Sequence, residues 1–106
     1  MAGVITGNVQ SMSVVTVTLS PAAVATATTA EQTFTVPGVL ATDFVLSVVK
    51  PTAQAGLGIV GWRVSALNTV GITFSNNTAS SITPTASQSY VLLLARPDST
   101  QAGFNV

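Results

Sequence analysis

Side chains that could do chemistry are few in this 106-residue chain, and they are widely spaced. Histidine and cysteine are absent, and the ionisable side chains, apart from Tyr90, are Lys50, Arg63, Arg96, Glu31, Asp43 and Asp98. A catalytic site needs groups that change protonation, attack a substrate or hold a metal ion. Six scattered charges rarely converge on one site. The sequence therefore predicts a protein that is not an enzyme and that uses no metal ion or cofactor.

The carboxylates are the first candidates for acid–base chemistry. A glycosidase would need two of them about 5–10 Å apart across a cleft, and nothing in their spacing favours such a pair. Asp43 follows Ala41 and Thr42 just before an apolar segment, where it is expected to cap a turn. Serine and threonine are abundant, but Lys50, beside Pro51, is the one side chain able to act as a Ser–Lys base.

The segment Gly56-Leu57-Gly58-Ile59-Val60-Gly61 matches the dinucleotide-binding pattern G-x-G-x-x-G. That pattern works only when a strand leads into the glycines and a helix begins on them. Here Pro51 interrupts the incoming strand, and the segment from Trp62 to Phe74 has the periodicity of a strand. We interpret the glycines as a flexible loop or as a site of close approach by a neighbouring backbone.

Two aromatic residues and one arginine are candidates for binding. Trp62 and Tyr90 could form the stacking platform of a carbohydrate site, but the two-residue periodicity around both favours packing in the core. Arg63 alternates with Trp62 and points to the opposite face of its strand. There it is expected to pair with Asp43 or Glu31, to reach a partner subunit, or to be solvated.

Two further local patterns have structural interpretations. Arg96 and Asp98 flank Pro97 at the end of an apolar segment, where a local ion pair of little energetic value is expected. Asn76-Asn77-Thr78 is a glycosylation sequon, which we interpret as accidental because no secretory signal accompanies it.

The overall composition excludes several classes of partner. Hydrophobic residues make up 47% of the chain and charged residues 6%, with a formal net charge of zero, whereas about a quarter of the residues are charged in ordinary soluble domains. Without a basic patch, nucleic-acid binding is not expected, and without a long apolar run, neither is a membrane span. The low charge favours a surface covered by an assembly, although a monomer coated with Ser and Thr is the alternative.

Alternating β-branched and polar residues recur along the chain with turn signals between them, as at Pro37-Gly38, Asn68 and Asn76-Asn77. This pattern predicts an all-β fold: a single antiparallel β-sandwich or barrel, jelly-roll-like, with six to eight short strands. We expect an extended N-terminal arm at 1–11, the β-domain at 12–98 and a C-terminal tail at 99–106. The residues expected on the core face are Val15, Val17, Leu19, Phe34, Val36, Phe44, Leu46, Val48, Val60, Trp62, Val64, Ile72, Phe74, Tyr90, Leu92 and Leu94.

The order of several short motifs between about residues 28 and 96 resembles small virion proteins of tailed bacteriophages. Each motif is weak alone, but their order is distinctive. The matching pieces are Phe34-x-Val36-Pro37-Gly38-Val39, Asp43, Lys50-Pro51, Ala55-Gly56-Leu57-Gly58-Ile59, Arg63-Val64-Ser65-Ala66, Asn68-Thr69-Val70-x-Ile72-x-Phe74-x-Asn76-x-Thr78-Ala79, Ile82-Thr83-Pro84, and Tyr90 to Arg96.

The resemblance implies a structural protein of the phage head, made in the host cytoplasm and placed on the capsid exterior as a decoration or cement protein. Its implied partners are the major capsid protein and copies of itself, as a homotrimer. A head-fibre or tail-fibre module that binds a host receptor or glycan is the alternative. The residues expected to contact the shell or a neighbouring subunit are Val4, Ile5, Arg63, Phe104 and Val106.

Overall fold

The structure, a computed structural model, describes residues 9–97 of the chain. This part contains six β-strands and no helix, and so no helix there is long and apolar enough to cross a membrane. The strands are β1 (Val9–Leu19), β2 (Thr28–Thr35), β3 (Phe44–Val49), β4 (Leu57–Ala66), β5 (Thr69–Asn76) and β6 (Gln88–Pro97). Strand β1 begins at Val9, and so the expected arm at 1–11 overlaps the first three residues of that strand.

The strands form two antiparallel three-stranded sheets, ordered β1-β6-β3 and β2-β5-β4. Only β4 and β5 are joined as a hairpin within one sheet, and every other connection crosses to the opposite sheet. The predicted all-β antiparallel fold is therefore confirmed in its sandwich form. Strands β6 and β5 are central, which leaves β1, β3, β2 and β4 as edge strands.

Two of the predicted turns hold one end of the sandwich together. Asn68, in the β4–β5 turn, has a φ of 57°, a left-handed conformation that Asn tolerates better than most residues. Its backbone amide donates to the carbonyl of Val39 at 2.7 Å, and its carbonyl accepts from the Val36 amide at 2.8 Å. Its side-chain Oδ1 accepts from the amide of Gly38, which has a φ of 96°. The hairpin turn and the Pro37-Gly38 turn therefore fix one another.

The core lies between the central strands. Val70, Ile72 and Phe74 of β5 are completely buried, as are Tyr90 and Leu92 of β6. Leu94 of β6 is also buried. Edge strands and loops close this layer with partly or fully buried side chains: Val15, Val17, Leu19, Val24, Phe34, Val36, Val39, Val45, Val48, Leu57, Ile59 and Val64. Alternation of apolar and polar residues thus predicted the inward face of most strands.

The predicted core is confirmed at Val48 of β3 and Val64 of β4. It is wrong at Phe44, Leu46 and Val60, because each strand contains a β-bulge. The register of β3 shifts between Val45 and Ser47, which turns Val45 and Val48 inward and leaves Phe44 58% and Leu46 49% exposed. A bulge adds one residue to a strand and so reverses the alternation beyond it.

In β4 the register shifts between Ile59 and Gly61. Val60, the extra residue, is 62% exposed instead of buried. Trp62 pairs with Ile72 and so faces the same side of the sheet as that core residue, but it lies on an edge strand and stays 37% exposed.

Asn76, the first residue of the sequon, has a structural role that the sequence analysis missed. It is 1% exposed. Its Nδ2 donates to the carbonyls of Val24 and Ser80 at 3.0 and 2.8 Å, and its Oδ1 accepts from the amide and hydroxyl of Thr78. Because all of its polar capacity is engaged inside the protein, the folded domain offers no acceptor amide for a glycan at Asn76.

Candidate interaction surfaces

The structure describes one of the five residues expected to contact a partner. Val4, Ile5, Phe104 and Val106 lie outside the described residues, and Arg63 lies on the outer face of β4. The Arg63 guanidinium donates from Nε and Nη2 to the two carboxylate oxygens of Glu31 at 2.8 and 2.9 Å. This confirms one of the pairings expected for Arg63, across the middle strand of its sheet.

Gly71 of β5 lies beneath that ion pair and makes room for it. A Cβ atom at position 71 would collide with the carboxylate of Glu31. The hydrogen bonds from Arg63 lower the pKa of Glu31 below its ordinary value, and the carboxylate raises the pKa of Arg63. Since the Arg63 side chain is 65% exposed, solvent screens the pair, and it contributes little to stability.

The two ends of the described chain meet at one end of the β1-β6-β3 sheet. Val9, the first residue of β1, pairs with Pro97, the last residue of β6. The segments that precede Val9 and follow Pro97 are therefore attached to neighbouring strands at the same end of the molecule.

A buried ion pair stabilises the same end of the sandwich. Asp43 is 7% exposed, and its carboxylate accepts from Nε and Nη2 of Arg96, both at 2.9 Å. Its Oδ2 also accepts from the Leu40 amide at 2.9 Å, which confirms the expected turn cap, while Arg96 Nη2 donates to the Gly38 carbonyl. The hydrogen bonds from Arg96 hold the pKa of Asp43 below its ordinary value, against the opposite effect of burial. Asp98, the partner expected for Arg96, lies outside the described residues.

A pocket of about 140 Å³ lies beside this ion pair, between β1 and the Pro37-Gly38 turn. Ser11 and Ser13 line one wall, and Val36, Leu94 and Arg96 lie opposite or beneath them. This volume suits a single small side chain or a few water molecules, and it is below the size of typical small-molecule sites.

The glycine-rich segment is part of the sheet and not a phosphate-binding loop. Gly58 and Ile59 pair with Ser75 and Phe74 of β5, and the strand continues through Ala66 with no helix. Gly56 has a φ of 79°, and a Cβ there would collide with the methyl group of Thr78. Position 56 therefore needs glycine for its positive φ and for the close approach of the Thr78 side chain, whereas the expectation was close approach of a neighbouring backbone.

The described carboxylates and lysine do not form a catalytic constellation. Glu31 and Asp43 each bind their own arginine, and no group of three or more metal-ligating acidic side chains occurs in residues 9–97. Lys50 Nζ donates to the carbonyl of Thr52 at 2.6 Å and to its hydroxyl at 3.3 Å. The Thr52 hydroxyl in turn donates to Oε1 of Gln88 at 2.8 Å.

An open groove between β3 and β4 exposes the single tryptophan. Trp62, Arg63 and Val64 line one side of it, and Thr42 and Phe44 line the other. Tyr90, in contrast, is completely buried and cannot share a stacking platform with Trp62. The groove thus offers two aromatic side chains, Trp62 and Phe44, and one arginine that is already paired with Glu31.

The outer faces of the two sheets differ sharply in polarity. On β2-β5-β4 the outward side chains are mostly threonine and charged residues, and we call this the polar face: Thr29, Glu31, Thr33, Thr35, Arg63 and Thr73. On β1-β6-β3 they are mostly large and apolar, and we call this the apolar face: Met12, Val14, Phe44, Val49, Val91 and Leu93. The second of these faces carries no formal charge.

The residues that the structure describes form a small all-β sandwich. Comparison of the chain with protein families, with curated proteins and with solved structures finds no match in any of the three.

Proposed function

We propose that this chain is a virion structural protein of a tailed bacteriophage, most specifically a capsid decoration protein. It binds the assembled shell of the major capsid protein from outside and stabilises the head. A ligand that binds only the assembled shell shifts the equilibrium toward that shell by mass action. In this proposal the protein is not an enzyme, binds neither nucleic acid nor a membrane, and acts on the capsid exterior after synthesis in the host cytoplasm.

The pairing of Val9 with Pro97 is the observation that carries the proposal. It brings both flanking segments to one end of one sheet, where Val4 and Ile5 on one segment and Phe104 and Val106 on the other are the proposed anchors. Apolar side chains on short segments gain by docking in grooves or by adding a strand to the edge of a neighbouring sheet. Two anchors at one end suit a module that stands on a lattice.

The charge-poor surface supports the same proposal. Only five charged side chains lie in residues 9–97, and four of them are paired as Glu31–Arg63 and Asp43–Arg96. Copies with such a surface meet little like-charge repulsion when they pack densely on a shell or associate as the proposed homotrimer. Shell sites have rotational symmetry, and a symmetric oligomer matches them.

Truncation tests the anchors. Deletion of residues 1–8 leaves β1 intact, and deletion of 99–106 leaves β6 intact. Each truncated protein is expected to keep the melting temperature of the full chain and to lose occupancy on expanded capsids. Full occupancy by both truncated proteins would contradict the anchoring role.

A receptor- or glycan-binding module is the second candidate, and the exposed Trp62 is the observation that favours it. An aromatic ring in an open groove is a usual floor for a sugar ring. Titration of the intrinsic fluorescence of the single tryptophan with a panel of surface glycans tests this candidate directly. A saturable change favours this candidate over decoration if isothermal titration calorimetry shows the same binding and Trp62→Leu abolishes the binding heat. No change across the panel would count against it.

A further inference from the structure

Basic residues are the sites at which trypsin-type proteases cut, and this chain has three of them. They are Lys50, Arg63 and Arg96. A protease of this class binds the basic side chain in a specificity pocket that carries a carboxylate, and it cleaves the peptide bond that follows. The chain therefore offers three bonds to this class of protease, and each of the three is obstructed.

Proline follows two of the three basic residues, at Lys50-Pro51 and Arg96-Pro97. The chain has five prolines, so two of the five stand directly after a basic residue. Proline places its ring on the nitrogen of the bond to be cut, which fixes the backbone there and removes the amide hydrogen. Trypsin-type proteases cut such bonds very slowly for this reason. Proline therefore protects these two bonds in the unfolded chain as well as in the folded one.

The fold gives the Lys50 bond little further protection. Lys50 directly follows β3, in the connection to β4, and the next two residues, Pro51 and Thr52, are exposed. The Lys50 ammonium donates to the carbonyl and hydroxyl of Thr52, which lies in the same loop. Exposed loops are where proteases preferentially cut folded proteins. Pro51 is therefore the feature that protects this bond.

Strand pairing protects the remaining bond, which joins Arg63 to Val64. Arg63 pairs with Gly71 of β5, and Val64 pairs with Val70. A protease binds its substrate as an extended chain that is free on both sides of the bond to be cut, and β4 is not free while it pairs with β5 and while Val64 packs on the core. The exposed ion pair of Arg63 with Glu31 adds little to this. Cleavage here therefore requires β4 to separate from β5, which opens the sandwich.

The segments on either side of the described domain contain no basic residue. Lys50 is the first basic residue of this chain and Arg96 is the last. Residues 1–8 and 98–106 therefore contain no bond that a trypsin-type protease recognises. The bond between Arg96 and Pro97 joins the end of β6 to the second of these segments, and its proline protects that junction.

We propose that the folded chain resists trypsin-type proteases along its whole length, and that opening of the sandwich exposes one bond to them, after Arg63. Proline protects the bonds after Lys50 and Arg96, and strand pairing protects the bond after Arg63. The rate of cleavage should therefore follow the population of the opened state. Such resistance suits a protein on the outside of a virus particle, but it follows from this sequence and fold and does not depend on the proposed function.

Digestion of the purified chain with trypsin, followed by mass spectrometry of the products, tests this inference. The folded protein is expected to be cut at least about 100-fold more slowly than the same protein unfolded in urea. The unfolded protein is expected to give two products, residues 1–63 and 64–106, with no comparable cut after Lys50 or Arg96. A reference peptide with a Lys–Ala bond verifies that trypsin stays active in the urea.

Variants separate the role of proline from the role of the sheet. Pro51→Ala is expected to be cut after Lys50 in the folded state, at least about tenfold faster than the unmodified chain. The matched control is Pro37→Ala, which removes an exposed proline that follows a valine and should leave the chain intact. Glu31→Gln releases the Arg63 side chain and is expected to change the rate less than about twofold. Thermal melts verify that each variant is folded.

An intact folded protein, two products after unfolding and a new cut in Pro51→Ala support the inference. Rapid cleavage of the folded, unmodified protein after any of its three basic residues overturns it. So does a cut after Lys50 or Arg96 in the unfolded chain that is as fast as the cut after Arg63, or a folded Pro51→Ala that is as resistant as the unmodified chain. These digestions contain no capsids, so their failure leaves the proposed function standing, and failure to bind capsids leaves the resistance standing.

Discussion

Arg96 and Asp43 join the last strand to the loop before β3 through two hydrogen bonds of 2.9 Å each. Arg96 precedes Pro97, the last described residue, which pairs with Val9, the first described residue. Asp43 is buried, with 7% of its surface exposed. The pair is therefore positioned to hold the proposed anchoring end of the sandwich closed. Glu31 and Arg63 make an equivalent pair on the surface, which provides an internal comparison.

Asp43→Asn is expected to lower the melting temperature by roughly 10 °C, because it weakens the charged hydrogen bonds to Arg96 in a site that little water reaches. Glu31→Gln, which makes the same chemical change in the exposed pair, is expected to have a much smaller effect. Differential scanning calorimetry at neutral pH measures both. Equal losses from the two variants would contradict the distinction drawn between the pairs.

The same pair predicts a pH dependence. The folded state holds the pKa of Asp43 below its ordinary value of 3.8, so its contribution is fully present above that pH. As the pH falls below 3.8, the unfolded chain takes up the proton first, and stability is lost down to the lowered pKa. Urea unfolding from pH 6 to pH 2 should therefore show a steeper loss for the unmodified protein than for Asp43→Asn. Parallel curves would contradict this role for Asp43.

Gly56→Ala is expected to destabilise the domain by about 2–3 kcal/mol, since alanine is strained at a φ of 79° and its methyl group would meet Thr78. Thr78 cannot move freely, because its hydroxyl is bonded to the buried Asn76. The matched control is Gly58→Ala, where a Cβ meets nothing within 4 Å, and it is expected to change the free energy of unfolding by less than about 0.5 kcal/mol. Chemical denaturation compares the two. A larger loss of stability at Gly58 than at Gly56 would contradict this steric account of the two glycines.

Tyr90→Phe is expected to leave the free energy of unfolding unchanged or to raise it by up to about 1 kcal/mol. The Tyr90 hydroxyl is buried and has no hydrogen-bond partner among the described residues, so its removal costs no bond. Tyr90→Leu, which removes packed volume, is the control and is expected to cost about 2–4 kcal/mol. A clear loss of stability in Tyr90→Phe would show that the hydroxyl is hydrogen-bonded in solution.

Burial also raises the pKa of Tyr90 above its ordinary value of 10.0. The unfolded chain therefore loses the phenol proton first, and this contribution to stability, complete below pH 10, falls as the pH rises toward the raised value. Tyr90→Phe should unfold at a higher pH than the unmodified protein in an alkaline titration followed by circular dichroism. Unfolding of both proteins at the same pH would contradict a raised pKa for Tyr90 in the folded state.

Much of the fold could be predicted because alternation and turn chemistry are local. The strands around Val15, Ile72 and Leu92 follow a strict period of two, and Asn68 and Gly38 occupy turns that need left-handed backbone. The bulges in β3 and β4 could not be predicted, since one extra residue leaves no clear signal in the sequence. They are the reason that Phe44 and Val60 were assigned to the wrong face.

Less of the candidate surfaces could be predicted, because they depend on long-range placement. Arg96 and Asp43 are 53 positions apart, and only the crossing of the chain between sheets brings them together. The apolar face was hidden because Val14, Val91 and Leu93 appear equally suited to a core. The structural role of Asn76 could not be predicted, because the Val24 carbonyl that accepts its hydrogen bond is 52 positions away in the sequence.

The most direct test of the proposed function is co-sedimentation of the purified protein with expanded heads of a tailed phage that encodes it, with unexpanded procapsids as the comparison. Decoration predicts saturable binding to expanded heads, at a stoichiometry that matches a symmetry site of the shell, and raised resistance of those heads to heat. Failure to bind either form of the shell would contradict decoration and would favour a receptor-binding module at the Trp62 groove.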